Sequence, residues 1–114
     1  MIHADIYFDG SLLKGFIIKG HAGMAESGED IVCASVSVLA QTALLGLDAY
    51  LTVKPSWQLD DEGYLECWLP EGLAPEEMTK AQVIMHTMEL GLLCIEESYG
   101  QYLKVSKRRW TKCC

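Results

Sequence analysis

The chain lacks most of what would divide it or staple it. Only 3 of its 114 residues are proline, and no Pro/Ser-rich linker, repeat or low-complexity stretch interrupts it, so a single domain is expected over residues 1–114. The 5 cysteines are odd in number and scattered, at 33, 67, 94, 113 and 114. With no CxxC pair they signal neither a disulfide framework nor a zinc knuckle. His3, His21 and Cys33 form no HExxH or CxxC grouping, so no metal and no cofactor are expected. Bases are scarce too: 9 Lys+Arg against 16 Asp+Glu give a formal charge of -7, which argues against direct nucleic-acid binding. No basic stretch precedes an apolar one near Met1, and no apolar run is expected to approach the ~20 residues that span a bilayer. The chain therefore reads as cytoplasmic, with no membrane partner.

Half of the residues are hydrophobic, enough for a core without staples. Ile2, Ala4, Ile6 and Phe8 alternate with His3, Asp5 and Tyr7 as in a half-buried strand, and Asp9-Gly10-Ser11 turns it into a second arm, Leu13 to Lys19. From Ile31 the apolar positions step by threes and fours through Cys33, Val36, Leu39, Ala40, Ala43, Leu44 and Leu47, predicting a helix. It carries no charge between Asp30 and Asp48, so it should be buried on most sides, by a sheet or by a partner subunit. Alternation from Leu51 to Leu59, the turn Asp60-Asp61-Glu62-Gly63 and Leu65-Cys67-Leu69 predict a second hairpin. Pro75-Glu76-Glu77 opens a helix that Gly100 closes, and its Met78, Met85 and Met88 read as core or dimer seam. Leu103 and Val105 begin a last strand. The order β-β-α-β-β-α-β makes an α+β two-layer domain with a mixed or antiparallel sheet carrying two helices. Cys67 and Cys94 read as core, and His86 as a flank or interface residue.

The chemistry gathers between His21 and Cys33. Ser27 or Asp30 would cap the helix and place Cys33 near its first turn, where unpaired N–H groups and the dipole stabilise a thiolate and could hold an oxyanion. His21, at the end of a strand, could serve as the base. The glycine-containing segment between them, with Met24 as its one large apolar residue, suits a flap over residues 22–30. On spacing alone, a small packing role is the commoner one for a cysteine such as Cys33, and a histidine after a strand is commonly a cap or surface residue. The five bases after residue 103, Lys104, Lys107, Arg108, Arg109 and Lys112, read as a solvated strand end, or as an electrostatic handle.

Gly20-His21-Ala22, followed by Gly28-Glu29-Asp30-Ile31-Val32-Cys33-Ala34-Ser35-Val36-Ser37, resembles the paired signature of the bacterial ribosomal-processing cysteine protease family, Prp. The resemblance extends along essentially the whole chain. It implies a cysteine endopeptidase over residues 1–114 that removes the N-terminal extension from the precursor of large-subunit ribosomal protein twenty-seven. It further implies a homodimer that cuts after a pair of aromatic residues with a small one following. Cys33 would be the nucleophile and His21 the general base and acid, with Asp30 and Ser37 as candidate supports. Two readings from other classes remain beside it: a non-catalytic ribosome-associated interaction module, and a structural dimer packed through the small residues of the first helix.

Overall fold

Alternating side chains build the first hairpin, β1 (Ile2–Asp9) and β2 (Leu12–Lys19), with Gly10 in its turn at φ +61°. Ala4 faces Ile18 and Ile6 faces Phe16 across the pair, and all four are buried. The register slips between Tyr7 and Phe8, because Tyr7 pairs with Gly15 and Phe8 with Leu13. Such a bulge leaves backbone groups outside the ladder. Here Gln82 accepts the Leu13 N–H at 2.8 Å and donates Nε2 to the Leu13 carbonyl at 2.9 Å, while the Lys14 carbonyl accepts the Leu69 N–H.

A computed structural model of the chain describes residues 1–20 and 27–111, with residues 27–30 defined by backbone alone. After the hairpin come α1 (Ser27–Tyr50), β3 (Ser56–Leu59), β4 (Leu65–Trp68), α2 (Pro75–Tyr99) and β5 (Leu103–Arg109). The strands form one sheet in the order β3-β4-β2-β1-β5, antiparallel except for β5 beside β1. This is the expected α+β domain with a mixed sheet and two helices.

The core lies between sheet and helices. Phe16, Ile6 and Leu13 from the strands meet Val32, Val36 and Leu47 of α1 and Met85, Met88 and Leu92 of α2, so the methionine stripe is core. Each such side chain contributes roughly 1.5–3 kcal/mol by leaving water. The opposite face of the sheet is closed locally. Trp68 lies against Tyr7 with ring centroids 5.1 Å apart, and Arg108 Nε donates to the buried Asp5 at 3.3 Å.

Several expectations need correcting. The second hairpin begins at Ser56, not Leu51: Leu51 caps α1 by donating its N–H to Leu47, Lys54 Nζ bonds the Asp48 and Leu51 carbonyls, and Pro55 has no N–H for a ladder. Cys94 is exposed rather than core, because Leu92 and Ile95 take the inward positions on α2. Gly100 follows α2 in a right-handed conformation, φ -60°, so the left-handed freedom of glycine is not used there. Ile31–Tyr50 of α1 is, by length and composition, long and apolar enough to cross a membrane, against the expectation that no run comes near that length. Its inner face is nevertheless packed into the core through Val32, Val36, Ala40, Ala43 and Leu47. The outer face is bare: Ile31, Val38 and Leu45 are each more than half exposed.

Candidate active site

The end of β2 and the early turns of α1 meet the β3–β4 turn at one end of the sheet. Gly20 closes β2 at φ +97°, and a side chain there would run into the Met1 carbonyl oxygen, so this exit from the sheet requires glycine. Cys33 is the seventh residue of α1, half-buried and with a free thiol. The helix therefore opens earlier than a cap at Asp30 would give. At 1.5 Å per residue Cys33 sits more than one turn inside, where its own N–H falls within the helical ladder. The unpaired N–H groups, expected to hold an oxyanion, belong to the turn that precedes Cys33.

Cys33 opens into a cavity of about 580 Å³ between α1 and the β3–β4 hairpin, within the size range of ligand pockets. Val36 and Ala40 of α1, Ile18 of β2, and Leu59 and Leu65 of the hairpin form apolar walls. Along α1 the spacing i, i+4, i+8 brings Cys33, Ser37 and Gln41 to the same wall. Gln41 Nε2 donates to Ser37 Oγ at 2.8 Å, which leaves the Ser37 hydroxyl proton available to another acceptor. The turn closes the mouth: Asp60 accepts the N–H groups of Glu62 and Tyr64 at 2.8 and 3.1 Å, and Gly63 takes φ +84°.

Of the four residues named from the sequence, Cys33 and Ser37 are thus brought to one cavity. His21 lies outside the described residues, as do Met24 and the side chain of Asp30, and with them most of the expected flap. The other thiols are differently placed. Cys67 is buried in β4, and desolvation pushes its pKa up to about 12, whereas Cys94 is exposed on α2. His86 bonds the buried Glu89 through Nδ1 at 3.1 Å and its ring lies beside Phe8.

The sequence model of the family described as Cysteine protease Prp matches residues 1–104. The chain belongs to that family. The Prp fold and chemistry are accordingly those of a cysteine protease, and a half-buried free cysteine on the wall of a peptide-sized cavity is what such an enzyme needs. The ribosomal processing cysteine protease Prp of Bacillus subtilis is 35% identical over 95 residues, 82% of this chain and 85% of that protein. The Staphylococcus aureus protein of the same name is 28% identical over 110 residues, 93% and 98% of the two chains. Among solved structures, a Streptococcus mutans protein superposes with a TM-score of 0.84 at 28% identity, over 96% of each chain. The S. aureus Prp in complex with a substrate peptide superposes with a TM-score of 0.81 at 27% identity, over 95% of this chain and all of that one.

Sequence reasoning about this Prp chain missed the far side of the cavity. Gln41 was legible as the next step of the i, i+4 series from Cys33 and Ser37. Leu59 and the Asp61–Gly63 turn carried no such signal, because they reach the cavity only through the pairing of β4 with β2.

Proposed function

We propose that this Prp chain is the cytoplasmic cysteine endopeptidase that removes the N-terminal extension from the precursor of large-subunit ribosomal protein twenty-seven. The observation that carries the reading is Cys33 on the wall of an apolar cavity in a chain whose relatives are ribosomal processing proteases. The apolar walls suit the aromatic residues before the cut.

In this mechanism His21 takes the thiol proton and the Cys33 thiolate attacks the carbonyl carbon of the scissile amide. The tetrahedral intermediate collapses to a thioester as His21 protonates the departing amine. Water, deprotonated by His21, then attacks the thioester, releasing the acid and restoring the thiol. Asp30 would orient His21, and the Ser37 hydroxyl, already accepting from Gln41, would donate to the reacting oxygen or sulfur. The free thiols Cys33, Cys67 and Cys94 suit the reducing cytoplasm.

The test incubates wild type and Cys33→Ala with a peptide containing an aromatic pair followed by alanine and serine, with products read by mass spectrometry. Cleavage after the second aromatic residue by wild type alone is expected. Equal cleavage by Cys33→Ala removes the nucleophile assignment, and near-normal turnover by His21→Ala removes the dyad.

A homodimer is part of the same proposal. Val38 and Leu45 of α1 and Val83 and Leu90 of α2 are each more than 60% exposed, and a shallow apolar groove runs between the helices past Leu39, Gly91 and Cys94. A second copy would cover this face. Sedimentation should show a dimer for wild type and a monomer for Leu45→Glu/Leu90→Glu; a monomeric wild type would refute it.

A further inference from the structure

The sheet has two outer edges, β3 and β5, and they are finished differently. Along β5 the Trp110 N–H bonds the Phe8 carbonyl of β1, so by alternation the Val105 N–H points away from the sheet. Glu96 of α2 accepts it at 2.7 Å. The strand also carries Lys104, Lys107, Arg108 and Arg109, the kind of charge that keeps a further strand off an edge.

β3 has no such guard. Its hydrogen-bond phase is fixed on both sides of β4: the Asp60 N–H bonds the Tyr64 carbonyl, and the Leu69 N–H bonds the Lys14 carbonyl of β2. Glu66 and Trp68 therefore turn their backbone groups to β3, where they meet Gln58 and Ser56. The N–H and C=O groups of Trp57 and Leu59 are left pointing outward, and among the described residues no turn or loop bond reaches them. Their side chains lie on the helix-facing side, since Trp57 pairs with the buried Cys67 and Leu59 with the buried Leu65. Each nevertheless stays about half exposed, an apolar ledge beyond the core.

The same strand leads to Cys33. Leu59 is its last residue and forms a wall of the cavity that Cys33, Ser37 and Gln41 line from α1, and Trp57 stands about 7 Å further back along it. A protease holds its substrate as extended backbone across the nucleophile, and an open edge that runs into the nucleophile's cavity supplies both the backbone bonds and the direction. The opening is short, because Pro55 precedes it without an N–H and the chain turns after Asp60, so it admits about three residues of peptide.

We infer that peptide substrates add to β3 as a short outer strand, their backbone paired with Trp57 and Leu59, whose side chains receive apolar residues next to the cut. This deepens the protease reading of the site and rests on it.

The experiment takes the peptide with the aromatic-pair cleavage site and replaces each backbone amide in turn, except the scissile one, by an ester, which removes a single N–H without adding bulk. With wild type, kcat/KM should fall by about three- to tenfold at two positions two residues apart, and hold at the position between them. In nitrogen-15-labelled Cys33→Ala, the parent peptide should slow amide exchange at Trp57 and Leu59 and leave Val105 unchanged. Trp57→Ala should keep the wild-type unfolding temperature, since the side chain is exposed, and lose about fivefold or more in kcat/KM. An ester scan with no alternation overturns the inference, and so does peptide binding that protects neither Trp57 nor Leu59. An unchanged kcat/KM in Trp57→Ala removes the role given to its side chain. If wild type cuts no peptide while Cys33→Ala binds it with protection at Trp57 and Leu59, the docking strand stands and the protease assignment of the site falls. If nothing is cut or bound, both fall.

Discussion

Gln82→Ala should destabilise the protein out of proportion to the residue's place on a half-exposed helix. The Gln82 amide ties α2 to the bulged hairpin by receiving the Leu13 N–H at 2.8 Å and donating to the Leu13 carbonyl at 2.9 Å. Truncation leaves both backbone groups without a partner at a part-buried position. A buried group left unsatisfied costs about 1–3 kcal/mol, and partial access of water selects the lower end, so the pair amounts to about 2–3 kcal/mol. For a domain of this size, each kcal/mol moves the melting temperature by roughly 4 °C, giving a fall of about 8–12 °C. Gln82→Glu should be nearly as damaging at neutral pH, since a carboxylate accepts the Leu13 N–H but repels the carbonyl. Part of that loss returns on acidification, when a protonated carboxyl can donate again. Thermal and urea unfolding measure both variants. A Gln82→Ala protein melting within about 2 °C of wild type would show that the tie contributes nothing.

Other consequences follow from single contacts. In Gly15→Ala the new Cβ would overlap the Trp68 ring and lie 2.5 Å from the Cys67 carbonyl oxygen; backbone cannot yield as a side chain can, so a loss of about 1–3 kcal/mol with a change in tryptophan fluorescence is expected, and an unchanged urea midpoint would count against it. Alkylation of the native protein at pH 8 should label Cys94 and spare Cys67, because raising a thiol from 9.0 to about 12 lowers its thiolate population by about a thousandfold; equal labelling of the two would contradict the burial of β4. Thr52 donates its hydroxyl and N–H to Glu77 and holds that carboxyl below its ordinary value. The folded value is the lower one, so the contribution is present above the ordinary carboxylate range and disappears as pH falls through the folded value. Wild type and Glu77→Gln should accordingly differ in urea midpoint at neutral pH and converge in acid, and a gap that persists in acid would refute the linkage.

What was legible in the sequence was local periodicity. Period-two alternation found β1, the Asp9-Gly10-Ser11 turn placed β2 after it, steps of three and four found both helices, and Asp60 with Gly63 marked a turn, because each depends on neighbours a few residues away. Alternation also misled: Leu51 to Pro55 has the pattern of a strand, yet the end of α1 takes Leu51 and Lys54 as its caps. Cys67 and Cys94 both read as core, yet strand alternation puts Cys67 on the inner face of β4, while the rotation of α2 over the sheet turns Cys94 outward.

By itself the sequence determined the order of elements, the α+β class and the membership in the Prp family carried by Gly20-His21-Ala22 and the Asp30–Ser37 run, since these are properties of contiguous residues. The tertiary structure decided what stands opposite Cys33. The cavity walls at Leu59 and Leu65, the acidic mouth at Asp61 and Glu62, and the clasp of Gln82 on Leu13, 69 residues away, exist only once β4 has paired with β2 and α2 has settled on the sheet. Such contacts are set by strand register and helix packing, which no local pattern encodes.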